Sequence, residues 1–204
     1  MKFVRFLLFP FAIVYDLVTT FRNICFDVGV FKQTSFKIPI IVVGNLSVGG
    51  TGKTPQIEYL IRLLKDDYKT VVLSRGYGRK TKKFVLLNDS HTAEEVGDEP
   101  LQYFKKFKKI AVAVDANRVA GISKLITDVS PEVFLLDDAY QHRKVKGSLS
   151  IVLTKYDDLF TDDFLLPTGN LRESSRGVKR ADLIIVTKCP DNISESAKKS
   201  IHEK

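Results

Sequence analysis

The sequence predicts an α/β fold: a mostly parallel sheet with helices on both faces, of the P-loop nucleotide-binding type, preceded by an apolar N-terminal helix. Three observations predict it. Short apolar runs alternate with segments of helical periodicity along most of the chain, the signature of strand–helix–strand units in a parallel sheet. One such junction holds a glycine-rich loop ending in Gly52-Lys53-Thr54. Residues 1–31 hold a strongly apolar stretch ahead of all of this.

The first strand is Ile38-Pro39-Ile40-Ile41-Val42-Val43, and Gln56 to Leu64 follows with helical spacing. Thr70 to Ser74 reads as the second strand. Arg75-Gly76-Tyr77-Gly78-Arg79 is a glycine-punctuated turn. Phe84 to Leu87 is a short strand. Ala93 to Lys106 reads as mostly helical, with Pro100 tolerable only in its first turn. Ile110 to Val114 is a strand and Asn117 to Ile126 a helix. Val133-Phe134-Leu135-Leu136 is a buried strand that ends in Asp137-Asp138. Leu149 to Leu153 and Leu183 to Thr187 complete the sheet, and a last helix runs toward Lys204.

At 204 residues the chain can bury one such core with a small appendage. An apolar fraction of 44% and a charged fraction of 27% are those of a globular protein. Two distant cysteines, Cys25 and Cys189, and three scattered histidines exclude a disulfide framework and a zinc cluster. The net charge of +8 calls for an anionic partner. Arg79-Lys80 with Lys82-Lys83, Lys105-Lys106 with Lys108-Lys109, and Arg143-Lys144 with Lys146 cluster that charge. Nucleic acid, anionic lipid and a phosphorylated substrate would each be served by it.

The run Phe6 to Tyr15 is apolar, Asp16 interrupts it, and Lys2, Arg5, Arg22 and Lys32 flank it. It is too short to span a bilayer, which takes about 20 apolar residues. No small-residue cleavage site follows it. Large apolar groups with flanking cations suit a helix lying in a membrane interface. The expected division is therefore a membrane-interface segment, residues 1–33, and a core domain, residues 34–204.

Ser47-Val48-Gly49-Gly50-Thr51-Gly52-Lys53-Thr54 sits between the first strand and the first core helix, the context a phosphate-binding loop requires. The glycines let successive N–H groups turn toward phosphate oxygens. Lys53 reaches the β- and γ-phosphates and the Thr54 hydroxyl can ligate Mg²⁺. Asp137 and Asp138 end a buried strand at the edge where open α/β sheets bind ligands, and can hold the metal. Gly97-Asp98-Glu99-Pro100 offers a second acidic pair, suited to a catalytic base or to a helix N-terminus. Arg172, in Leu166-Pro167-Thr168-Gly169-Asn170-Leu171-Arg172-Glu173, sits in a loop and can pair with phosphate. Two alternatives stand beside an ATP-dependent kinase: a P-loop GTPase or metallochaperone, and a non-catalytic membrane-associated nucleotide binder. Thr187-Lys188-Cys189-Pro190-Asp191 is faintly similar to a guanine-specificity motif, with its Asp one residue too far on.

These motifs, in order, closely resemble the tetraacyldisaccharide 4′-kinase family of lipid A biosynthesis. The resemblance rests on Gly44 to Pro55, Leu73-Ser74-Arg75-Gly76-Tyr77-Gly78, Val96-Gly97-Asp98-Glu99-Pro100, Asp137-Asp138-Ala139-Tyr140-Gln141-His142, the 166–173 segment and Arg180-Ala181-Asp182. It implies transfer of the ATP γ-phosphate to the 4′-hydroxyl of a tetraacyl disaccharide 1-phosphate, giving lipid IVA. By resemblance Lys53 and Thr54 hold phosphates and Mg²⁺, Asp98 is the catalytic base, and Asp137 and Asp138 lie on the metal side. Arg75, Glu99, His142 and Arg172 are then substrate contacts, Arg172 to the 1-phosphate. The implied partners are the lipid disaccharide and an anionic membrane surface, with no nucleic acid. The implied place is peripheral, at the cytoplasmic face of the bacterial inner membrane. The family carries a further C-terminal lobe on a two-stranded linker, so these residues are expected to be its N-terminal core.

Overall fold

A computed structural model of the chain describes residues 5–203; Lys2, Phe3 and Lys204 lie outside them. The first long element is a helix, α1 (Phe9–Asp27), with Pro10 in its opening turn, where a missing N–H costs nothing. The core follows as β1 (Ile40–Asn45), α2 (Lys53–Leu64), β2 (Thr70–Ser74), β3 (Val85–Leu86), α3 (Ala93–Val96), α4 (Asp98–Lys106), β4 (Ala111–Val114), α5 (Arg118–Val129), β5 (Val133–Asp137), β6 (Leu149–Lys155), β7 (Leu183–Thr187) and α6 (Glu195–His202).

The strands form one seven-stranded sheet in the order β3-β4-β2-β5-β1-β6-β7. Every pairing is parallel except β3 with β4. Alternate residues of each strand enter two different cores. Ile40, Val42, Val71, Leu73, Phe134 and Leu136 face one, with Ile122 and Leu125 of α5. Val43, Val72, Leu135, Ile151 and Leu153 face the other, with Ile57 and Ile61 of α2 and Tyr103 of α4. This period of two, with both faces covered, bears out the expected layering. Each such buried aliphatic side chain contributes about 1.5–3 kcal/mol.

The strand positions read from sequence hold, with local shifts. β1 starts at Ile40 and runs to Asn45, two residues later than expected. Ile38 packs only against the rim of the first core, and the Pro39 carbonyl accepts from Phe134 N–H at 3.0 Å. The expected continuous helix over 93–106 is two helices. α3 is opened by a capping box between Thr92 and Glu95 and ends at Gly97. Gly97 then takes φ +95, which a helix cannot include, and α4 restarts at Asp98. Pro100 lies in the first turn of α4, as required. α5 is capped by Asn117, whose side chain accepts from Ala120 N–H.

Because the central strands are parallel, their carboxyl ends share one edge. That edge carries the 47–54 loop after β1, Arg75 after β2, Arg118 after β4 and Asp137-Asp138 at the end of β5.

Candidate active site

The loop leaves β1 through Asn45 and Leu46, both buried. It is clamped from the far side of the chain. Val48 N–H donates to the Asn170 carbonyl and Arg172 N–H to the Leu46 carbonyl, each at 2.7 Å, around an antiparallel bridge between Ser47 and Leu171. Inside the loop the Asn45 side chain donates to the Ser47 carbonyl at 2.6 Å. Gly52, at φ +86, turns the chain into α2. The first turn of α2 has neither an acidic residue nor a side-chain cap, so its N–H groups and partial positive charge are left for an anion. The Thr51 hydroxyl is buried without a partner. A Cβ at Gly50 would meet nothing within 4 Å, and one at Gly49 only Lys155 Nζ at 3.9 Å. These features fit a phosphate chain lying along the loop.

Beside the loop stand the two acids. Asp137 is the last residue of β5, level with Val43 of β1. Burial first, then Asp138 and Glu99, lift its carboxyl to about 6. Tyr103 donates to it at 3.3 Å; burial and that same carboxylate push the phenol well above its ordinary range. Asp138 turns away in the left-handed region, φ +46. Arg172 grips it with both Nη atoms, at 3.1 and 2.8 Å. Lys53 Nζ lies 3.7 Å from the same carboxylate and 3.2 Å from Asn45 Oδ1, which also accepts from Arg172. Burial alone would raise the Asp138 carboxyl; Arg172 and Lys53 outweigh it and hold the group below the usual carboxylate range. Among the described residues no three His, Cys, Asp or Glu side chains converge on a metal site. Thr54, Asp137 and Asp138 line the same cleft and could supply part of an oxygen shell; Mg²⁺ is ordinarily bound by one or two carboxylates with substrate phosphates. The donor set therefore fits a cation carried in by a nucleotide.

A cleft of about 820 Å³ opens from the loop toward α1. Of the residues picked out by sequence, Val48, Gly49, Lys53, Thr54, Arg75, Glu99, Asp137, Asp138, His142 and Arg172 line it together. Asp98 is exposed on the first turn of α4, next to Glu99 but outside that lining. It sits at the rim, because Gly97 packs on the cleft-edge turn: a Cβ there would stand 3.2 Å from Gly76 Cα and 3.3 Å from the Tyr77 carbonyl.

On the far wall the sequence picks out His142 but not Arg118, Tyr15, Arg22 or Asn23. Arg118 is 2% exposed, donates to the Asp115 carbonyl at 2.7 Å and leaves Nε without a partner. Burial and the neighbouring Arg75 lower it to about 10. His142 also has an unpartnered buried Nε2. Burial, then Arg118, Lys144 and Arg75, hold it down to about 4, so its ring is neutral at pH 7. From α1, Tyr15 donates to the Arg172 carbonyl at 2.8 Å, Arg22 to the Gln141 carbonyl at 2.9 Å and Asn23 to Glu173 at 2.9 Å. The signal for Arg118 was its position just past a strand's carboxyl end.

α1 is inverted relative to an ordinary surface helix. Its buried residues are Ala12, Cys25 and Phe26, while Phe11, Leu17, Val18 and Phe21 are 61–68% exposed. Among the described residues no helix is long and apolar enough to cross a membrane.

A sequence profile of the family described as tetraacyldisaccharide-1-P 4′-kinase matches residues 4–204. The chain is 59% identical over 205 residues to the tetraacyldisaccharide 4′-kinase of Flavobacterium johnsoniae, covering 100% of this chain and 60% of that protein. It is 54% identical over 188 residues to the enzyme of that name from Bacteroides thetaiotaomicron, covering 91% of this chain and 50% of that protein. The crystal structure of LpxK from Aquifex aeolicus in complex with ATP superposes with a TM-score of 0.85 at 38% identity, over 94% of this chain and 62% of that one. The chain thus spans 50–60% of the length of these curated relatives.

Proposed function

Because the chain belongs to the tetraacyldisaccharide-1-phosphate 4′-kinase family, we propose that it forms the nucleotide-binding part of an ATP-dependent lipid kinase. The reaction is transfer of the γ-phosphoryl group to the 4′-hydroxyl of a tetraacyl disaccharide 1-phosphate, giving lipid IVA. The observation that carries it is the convergence of Lys53, Thr54, Asp137 and Asp138 on one open cleft at the uncapped N-terminus of α2.

Loop amides and the N-terminus of α2 hold the phosphates, and Lys53 draws charge from the transferred group. Thr54, Asp137 and Asp138 would hold Mg²⁺, which when bound would neutralise phosphate charge. Asp98 takes the proton of the attacking hydroxyl; its exposed place next to the cleft-lining Glu99 supports this role. Arg172 turns from Asp138 to the lipid's phosphate, and Arg75, Glu99 and His142 position the sugars. The neutral His142 ring exchanges hydrogen bonds with hydroxyls and adds no charge to a wall that already carries Arg75 and Arg118.

The outward apolar face of α1 supports the membrane reading. Residues 1–33 form an interfacial segment laid on the 34–204 core, peripheral to the cytoplasmic face of the inner membrane. Anionic headgroups suit the net charge of +8.

The test uses the full-length protein with lipid substrate in mixed micelles. Mg²⁺·ATP should support 4′-phosphorylation, Asp98→Ala should cut turnover 10²–10⁴-fold with little change in ATP affinity, and loss of both together would make Asp98 a structural residue. One observation bears on the guanine alternative: the Thr187 hydroxyl, opening the 187–191 segment, lies 2.9 Å from the Thr51 carbonyl of the loop. Tighter binding of GTP than ATP would favour that reading.

A further inference from the structure

A second cavity, of about 760 Å³, lies beside the cleft, and Arg22 is the lining residue the two share. Its wall is hydrocarbon in part, with Thr34 and Asn117 among its polar lining. Phe26 and Phe31 meet edge to face, with centroids 5.2 Å apart, and Val30 and Val119 flank them. Arg22, Lys32 and Lys144 also stand in the lining. Among the described residues, no carboxylate lies within 4.0 Å of the Lys32 or Lys144 ammonium. Val28 and Val30, 68% and 67% exposed, continue the apolar outer face of α1 to this cavity.

A small inorganic anion would use the lysines and leave the phenyl and valine wall wet. A neutral hydrocarbon would cover the wall and leave the cations idle. An amphiphile with one negative head and a hydrocarbon tail satisfies both. We propose that this cavity binds one anionic glycerophospholipid of the surrounding bilayer. Its acyl chain lies against Phe26, Val30, Phe31 and Val119, and its phosphate lies between Lys32 and Lys144. The site is separate from the cleft in which the sugar substrate reacts, and the inference rests on the reading of α1 as membrane-facing.

The chain contains no Trp, so Val119→Trp places a single indole reporter in the wall. Dihexanoyl phosphatidylglycerol, kept below its micelle concentration, should shift the emission saturably, and dihexanoyl phosphatidylcholine should need at least tenfold more. Lys32→Glu combined with Lys144→Glu should weaken the phosphatidylglycerol affinity tenfold or more. Calorimetric titration of the same lipid into the chain with Val119 intact, with and without the lysine pair, gives the same comparison if the indole disturbs the fold. Equal affinity for the two lipids, saturation by inorganic phosphate alone, or no saturable binding overturns the proposal. Flotation on phosphatidylglycerol vesicles separates it from the reading beneath it. A chain that floats yet shows no lysine-dependent lipid binding sinks the cavity assignment alone. A chain that binds the monomeric lipid yet ignores vesicles sinks the membrane reading of α1 instead.

Discussion

Helix α2 turns Ile57, Leu60 and Ile61 into the sheet and leaves Arg62 outside. Helix α1, across the same cleft, turns Tyr15, Arg22 and Asn23 inward and leaves Phe11, Leu17, Val18 and Phe21 outside. The first arrangement is stabilised by burial, about 1.5–3 kcal/mol for each large aliphatic group. The second buries only Ala12, Cys25 and Phe26 and is otherwise held by hydrogen bonds, each contributing only about 0.5–1.5 kcal/mol net. An apolar face left outward is unspent hydrophobic driving force. α2 therefore serves the fold, whereas the outward face of α1 is free for the membrane contact proposed above.

The widest expected gap is chemical. In the full-length enzyme Lys53→Ala, in the first turn of α2, should lower turnover about 10²–10³-fold. Phe21→Ala, on the outside of α1, should leave turnover on detergent-dispersed substrate within about twofold, as expected of a surface change. An ADP-release assay compares the two directly, and similar losses would erase the contrast.

The next gap is in stability. Ile61→Ala should cost about 2–5 kcal/mol, and Phe21→Ala less than about 0.5 kcal/mol. Urea denaturation reads both. A large cost at Phe21 would mean that α1 is part of the core after all.

The acids beside α2 add a pH dependence. The folded state keeps the Asp137 proton up to about 6, whereas the unfolded chain releases it near 3.8. The folded state thus binds more protons through this window, and ligand-free stability should fall as pH rises across it, by an amount on the order of 2–3 kcal/mol. Asp137→Asn should flatten the curve in thermal melts. The outer side chains of α1, Phe11, Leu17, Val18 and Phe21, do not titrate, so their contribution to vesicle association should stay level over the same window. A melting profile unchanged by Asp137→Asn would show that Asp137 is ionised at no cost in the fold.

The smallest effect is Tyr15→Phe, which removes one hydrogen bond from α1 to the Arg172 carbonyl. About 0.5–1.5 kcal/mol is expected, with the apolar outer face untouched and vesicle flotation unchanged. Lost flotation in this variant would show that α1 needs the core to keep its orientation on the membrane.

Thr70 to Ser74 and Leu183 to Thr187 were legible to the residue, because runs of β-branched and aliphatic residues bounded by polar ones leave little choice. The loop, Lys53, Thr54 and the two acids were legible because chemistry and backbone signal coincide there. The break at Gly97 was not: glycine near a helix start reads equally as a tolerated weak position, and its positive φ and close packing against Gly76 and Tyr77 show only in the fold. Arg22 and Tyr15 were illegible as site residues because nothing local marks them, and Arg118 had only its position just past a strand's carboxyl end. They meet only after the crossovers bring the ends of β4 and α1 to one cleft. The inversion of α1 was half legible: the apolar stretch shows in sequence, but which side it presents depends on partners more than a hundred positions away.

The ties of α1 to the core are spread along its length, at Tyr15, Arg22, Asn23 and Asp27. A helix of 19 residues is a rod about 28 Å long, and one fastened at several points cannot swivel against the body. Laid flat on a bilayer, it would fix the tilt and roll of the whole domain. What is left is sliding in the plane and spinning about the bilayer normal. The cleft would then sweep the leaflet at constant height and attitude, and encounter would become a two-dimensional search in which every collision arrives right way up.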